Sequence, residues 1–175
     1  MTIQGGMAEL RLLGYTHVGI DRWRMNIWKP IRWVGSSRKD LQEAPEDVRW
    51  VMGTALRFAQ VGDKHPDAKP LKGYGGSQVL EVVVDTDRRT YRGVYTVEFK
   101  GVVFVLHVFQ KKSTQGIKTN KADLDLIDTR RQTARREYQE HHQEFEAHEL
   151  QRKQLLEELR SANDQSQGKD GKGKR

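Results

Sequence analysis

Cysteine is absent from this chain of 175 residues. Disulfides, thiolate nucleophiles and cysteine zinc sites are therefore excluded. Long apolar runs are absent too: none approaches the roughly 18 residues that a membrane-spanning helix needs. The first 24 residues mix Glu9, Arg11, His17, Asp21, Arg22 and Arg24 into the chain and hold no signal-peptide core. A cytoplasmic protein is the expectation. Apolar residues are also in short supply, at 35% against 31% charged. That is little for one globule of this length, so part of the chain is expected to lie outside the core. The surplus is of positive charge, +7 net, which favours anionic partners without choosing among nucleic acid, acidic protein and membrane surface.

Residues 1–27 lack clean periodicity and read as a weakly ordered extension, with Met25 as an alternative start to Met1. Ile31-Arg32-Trp33-Val34 reads as a short strand ending at Gly35. Ser36 or Ser37 then offers a helix N-cap, with Asp40 following, for a short helix over Lys39 to Ala44. A second helix is expected from Pro45, because Val48, Val51, Met52, Ala55, Leu56 and Ala59 repeat at three and four. Gly62 ends it. Lys69 to Gly76 reads as a basic loop. Three strands follow, over Val79–Val84, Tyr91–Phe99 and Val102–Phe109, joined by the turns Asp85–Arg89 and Lys100-Gly101. The apolar third strand is expected to be central and covered on both faces. The class is α+β: an antiparallel meander packed on helices.

Glycine and proline are absent from Lys121 to Ala162, and a long helix is expected there. A seam from Leu124 through Ile127, Ala134, Tyr138 and Phe145 to Leu159 is apolar at both ends and polar between. It predicts either a helix whose first turns dock on the sheet or a coiled-coil arm that meets a partner helix, a second copy included. The domain is placed at 28–138, the arm at 139–162 and a disordered basic tail at 163–175.

Alternate strand residues share a face. His107, Phe109 and Lys111 therefore point one way, with Lys112 just beyond. Arg92 shares its face with Val94, Thr96 and Glu98, opposite the more apolar Tyr91, Tyr95 and Val97. Glu81 shares a face with Val83 and Asp85. Side-by-side pairing would bring Glu81, Arg92, His107 and Lys111 into one polar patch suited to RNA cleavage. Arginine and lysine stabilise a charged phosphorane, while histidine, glutamate or tyrosine moves protons. Exposed aromatics such as Tyr95 and Phe109 stack on unpaired bases, and Lys69, Lys72 and Lys118 suit a phosphate backbone. No metal or cofactor is expected. On its polar face, Arg92 is expected to be removable without opening a core cavity. The structural alternatives stay open here: Arg92 as a solvated strand residue, His107 as a packed core histidine, and Lys111-Lys112 as a common exit from a sheet.

Lys69-Pro70-Leu71-Lys72-Gly73, Leu80-Glu81, Tyr91-Arg92-Gly93-Val94-Tyr95, Val105 to Ser113 and the helix with Lys121 to Arg130 together resemble the phage-derived, HigB-like branch of the RelE/HigB toxin superfamily, over roughly residues 29 to 138. The resemblance implies a compact RelE-like antiparallel sheet with N-terminal helices, a paired antitoxin, and metal-independent endonuclease activity on mRNA, usually on the ribosome. It implies that Arg92 stabilises the scissile phosphate and that Lys111, with Lys112 next, assists. The lysines that family members often carry in the first meander strand are replaced here by Glu81 and Val83, which raises Glu81 and His107 as proton-transfer groups. Two rival classes remain: a gyrase-inhibiting toxin of the same fold, and a noncatalytic nucleic-acid- or ribosome-binding protein.

Overall fold

The computed structural model describes residues 27–76, 78–87, 89–111 and 120–170, with side chains as far as Ala162. Its elements are β1 (Ile31–Trp33), α1 (Ser37–Glu43), α2 (Glu46–Val61), β2 (Ala68–Pro70), β3 (Val79–Asp85), β4 (Thr90–Thr96), β5 (Val103–Gln110) and α3 (Lys121–Asp170). The strands form one sheet in the order β1-β5-β4-β3-β2. Strands β2 to β5 pair antiparallel, and β1 adds to β5 in parallel. The sheet is therefore mixed rather than purely antiparallel. The start of the expected basic loop is strand: Lys69 pairs with Glu81 across β2 and β3.

Each face of the sheet carries its own core. Leu80, Val82, Val84, Tyr91, Tyr95, Val103, Val105 and Val108 pack with the α2 stripe of Val48, Met52, Ala55, Leu56 and Ala59. The period of three and four puts those five side chains on one side of α2, and Gly62, at φ 89°, closes the helix. The helix runs close to the sheet at Gly93, where a Cβ would stand 2.7 Å from the Met52 sulfur. On the other face, Val79, Val94, Phe104 and Leu106 pack with Ile127, Ala134 and Phe145 of α3. Strand β5 is thus interior and covered on both faces, as its continuous apolar run predicts.

Residues Lys29–Glu149 form one compact unit, and the helix residues from Leu150 onward belong to a second. Core packing therefore continues past Tyr138 into the stretch that the sequence assigns to an arm. Phe145 is 1% exposed, its ring stacked on Tyr138 at 5.8 Å and edge-on to Phe104 at 6.3 Å. The backbone of α3 departs from helical geometry at His141. The helix ends at Asp170, beyond Ala162, so it enters the expected tail. Residues 171–175 and the extension up to residue 26 lie outside the described residues. No helix among the described residues is long and apolar enough to cross a membrane.

Candidate nucleic-acid site

Helix α3 packs on the second face of the sheet through Ile127, Ala134 and Phe145. The same face also carries polar side chains. Direct antiparallel partners project to the same side of a sheet, so the register lays out the surface. Lys69, Glu81, Val94 and His107 form one row across β2, β3, β4 and β5. Val83, Arg92 and Phe109 form the next. Thr90 pairs with Asp85, its hydroxyl donating to the Asp85 carboxylate at 2.6 Å. Just past the end of β5, the Lys111 amide donates to the Thr90 carbonyl at 2.8 Å, so Lys111 continues this end of the sheet.

A bulge gives β5 this arrangement. Val94 pairs with His107 but Tyr95 pairs with Val105, leaving Leu106 as an extra residue. Leu106 packs with the α3 cluster, while Val105 and Val108 pack on the α2 side. A regular strand would alternate Leu106 and His107 to opposite faces. The bulge lets both serve the α3 side.

Two polar units result. In the first, Arg92 donates from Nη1 to Glu81 Oε2 at 2.5 Å, with side-chain exposures of 6% and 15% respectively. Arg92 is therefore a buried, charge-paired residue rather than a solvated one. The expectation that its truncation leaves the core untouched is corrected: removing it would strand the Glu81 carboxylate.

The second unit surrounds His107. Its Nε2 lies 3.3 Å from Asp123 Oδ1 and its Nδ1 lies 3.2 Å from Arg130 Nη1. A guanidinium only donates, so Nδ1 accepts and Nε2 carries the proton toward Asp123. Burial pushes the imidazole pKa down, and Arg130 adds to this against the opposing pull of Asp123. The ring stacks on Phe109 at 4.5 Å, and Phe109 remains half-buried. His107 is a packed histidine with both nitrogens engaged, and it backs an aromatic face.

Asp123 and Arg130 are absent from the sequence-derived site. A signal for Asp123 was present. Asn120 Oδ1 accepts from the Asp123 backbone amide at 2.8 Å, and Asn120 Nδ2 donates to the Asp123 carboxylate at 2.6 Å, an asparagine N-cap with three-residue spacing at the start of α3. Arg130 had no such signal, because its partners are distant in sequence. Besides His107, it donates to the Leu106 carbonyl at 2.9 Å and to Ser36 Oγ at 2.7 Å, joining α3 to β5 and to the start of α1.

Of the residues proposed for RNA contact, Lys69 on the edge strand β2 is exposed, and so is Lys72 in the turn after it. Tyr95 is corrected. It is 2% exposed, in the core on the α2 side of the sheet, where burial pushes its hydroxyl pKa up to about 12. A ring so enclosed has no face to offer a base. Lys112 and Lys118 lie outside the described residues.

The family described as phage-derived protein Gp49-like (DUF891) matches residues 39–132, from α1 into α3. No curated relative matches significantly. The matched span takes in both polar units, from Lys69 to Arg130. It covers more than half of the chain, which therefore belongs to this phage-derived Gp49-like family, a family of type II toxin–antitoxin toxins of RelE-like fold.

Proposed function

We propose that the chain is the toxin of a HigB-like toxin–antitoxin pair and an endoribonuclease that cleaves mRNA on the ribosome in the cytoplasm without a metal. The observation that carries this reading is the convergence of Arg92, Glu81, His107 and Phe109, with Lys69 beside them, on the α3 side of the sheet. Arg92 supplies a guanidinium for the charge that develops on the phosphorane, and Lys111 and Lys112 assist from the strand exit. Phe109, braced by His107, offers a stacking surface to a base. Lys72 and Lys118 follow the phosphate backbone, and Lys69 stands opposite Glu81 on the edge strand. With both His107 nitrogens engaged, proton transfer from the 2′-hydroxyl falls to Glu81, and His107 positions Phe109. The helix residues from Leu150 onward belong to a second compact unit, and exposed Leu150 there suits contact with the antitoxin or a second copy.

Mapping transcript 5′ ends after brief induction tests the reading. New in-frame cuts that also form with EDTA-treated purified components are expected. Growth arrest with an unchanged end profile would overturn the nuclease and favour the gyrase-inhibiting class. RNA binding with neither cuts nor arrest would favour a noncatalytic binder. The burial and neutralisation of Arg92 by Glu81 are what keep those readings in play.

A further inference from the structure

We infer that Glu81 is an internal counter-anion that occupies the phosphate position on Arg92, and that an incoming phosphodiester displaces it toward Lys69. The inference rests on the proposed reading for the identity of the anion, but its binding test does not require cleavage.

Carboxylate and phosphate engage a guanidinium through the same planar fork of N–H groups. Glu81 already takes Nη1 of Arg92 at 2.5 Å. A second anion cannot sit at the same place beside the carboxylate, because their repulsion is weakly screened at a buried pair. The two therefore compete for this edge of the guanidinium. The sheet gives Glu81 a destination. Lys69 is its direct partner on the opposite strand neighbour, β2, and is exposed. Opposite charges at such positions attract. Moving from Arg92 to Lys69 carries the carboxylate from the interior of the sheet to its edge, so no bare charge stays buried. Val94, the other direct partner of Glu81, offers no competing polar group. The pair thus holds the arginine in position before substrate arrives, and it admits only ligands that bring an anion able to replace a carboxylate.

Binding of a single-stranded DNA oligonucleotide, which lacks the 2′-hydroxyl and cannot be cut by this chemistry, tests the exchange with the full chain by calorimetry. Glu81→Gln is expected to bind about tenfold more tightly, a gain near 1.4 kcal/mol. Asp85→Asn removes one negative charge from the same strand face and controls for net charge. It should gain much less. Lys69→Gln should weaken binding in the natural background and change it little in the Glu81→Gln background. Equal or weaker binding by Glu81→Gln, an equal gain in Asp85→Asn, or a full Lys69→Gln loss in both backgrounds would overturn the exchange. Should Glu81→Gln fold poorly, carbon NMR of the Glu81 carboxyl in the unaltered chain decides: the signal should move on oligonucleotide binding, and a fixed signal overturns the inference. Tighter binding without any RNA cleavage by the natural chain keeps the exchange and removes the nuclease. Unchanged affinity in Glu81→Gln removes the exchange even where RNA cleavage is lost, leaving Glu81 with the role of base alone.

Discussion

A Cβ placed on Gly101 would stand 2.1 Å from the backbone carbonyl oxygen of Phe145. The turn between β4 and β5 and the helix α3 meet there backbone to backbone. Gly101 also has φ of 75°, where other residues are strained. Neither partner can move like a flexible side chain, so Gly101→Ala should destabilise the protein by more than about 1 kcal/mol. Phe145→Ala should cost about 3–5 kcal/mol, the usual range for a buried phenylalanine. Denaturant melts compare these variants with two truncations. A chain ending at Glu149 should retain the cooperative transition of the compact unit, whereas one ending at Gln139 should lose at least the Phe145 contribution. Equal stability of the two truncations would show that Phe145 is not a core residue.

Arg92→Ala should abolish toxicity and also destabilise the fold. Loss of a cation facing phosphorane charge costs on the order of 3 kcal/mol, a hundredfold or more in rate. Stranding one member of a buried pair costs about 3–5 kcal/mol in stability. Replacing both members, Glu81→Gln with Arg92→Gln, should restore most of the melting temperature while leaving growth unaffected by induction. A double variant that melts normally and still arrests growth would take Arg92 out of the chemistry.

Glu98 should lend the fold an acid-sensitive clasp. Burial pushes its carboxyl pKa up, but hydrogen bonds from Arg131 and Arg135 outweigh this and lower it on balance. Arg131 donates from Nε at 2.9 Å and Arg135 from Nη2 at 2.8 Å. A carboxylate with a lowered folded pKa contributes stability that is present above its ordinary value, about 4.3, and fades as pH falls through the folded value. Glu98→Gln should therefore flatten the acid limb of a stability–pH curve while retaining the shape above about pH 6. An acid limb identical in the two proteins would rule the clasp out.

His107 should titrate below the ordinary histidine value of about 6.5. Burial lowers its pKa and Arg130 adds to this, against Asp123. Its neutral form is the folded form, so its contribution is complete above the ordinary value and is lost as pH falls from there toward the folded value. Proton NMR of the imidazole gives the midpoint directly. Asp123→Asn removes the opposing pull and should lower the midpoint further, while Arg130→Gln should raise it. A midpoint at or above 6.5 in the natural chain would contradict the neutral, doubly engaged ring.

The stripe of α2, the meander and the interior position of β5 were legible in the sequence, because each rests on a period read within a single element. Strand alternation also placed Glu81 with Val83 and Arg92 with Val94 correctly. What alternation leaves open is how strands pair, and the Glu81–Arg92 contact depends on the diagonal set by the β3–β4 register. Tyr95 was misread because tyrosine is at home both in cores and on binding surfaces, and only the packing of α2 decides between them. Arg130 was invisible for another reason: its three partners lie on β5 and at the start of α1, and no local pattern announces a long-range tie.

The extra residue at Leu106 puts the two halves of β5 out of phase. Removing one residue from a strand normally turns every later side chain to the wrong face. Here, removing Leu106 would place His107 directly after Val105. The outward alternation of Phe104, Val105, His107, Val108 and Phe109 would then be regular, with His107 and Phe109 still facing α3. The strand is therefore indifferent in phase to the loss of this one position, which frees it to vary in length without disturbing the order of the polar rows. What it would lose is the side chain that fills the α3 cluster and the carbonyl that holds Arg130.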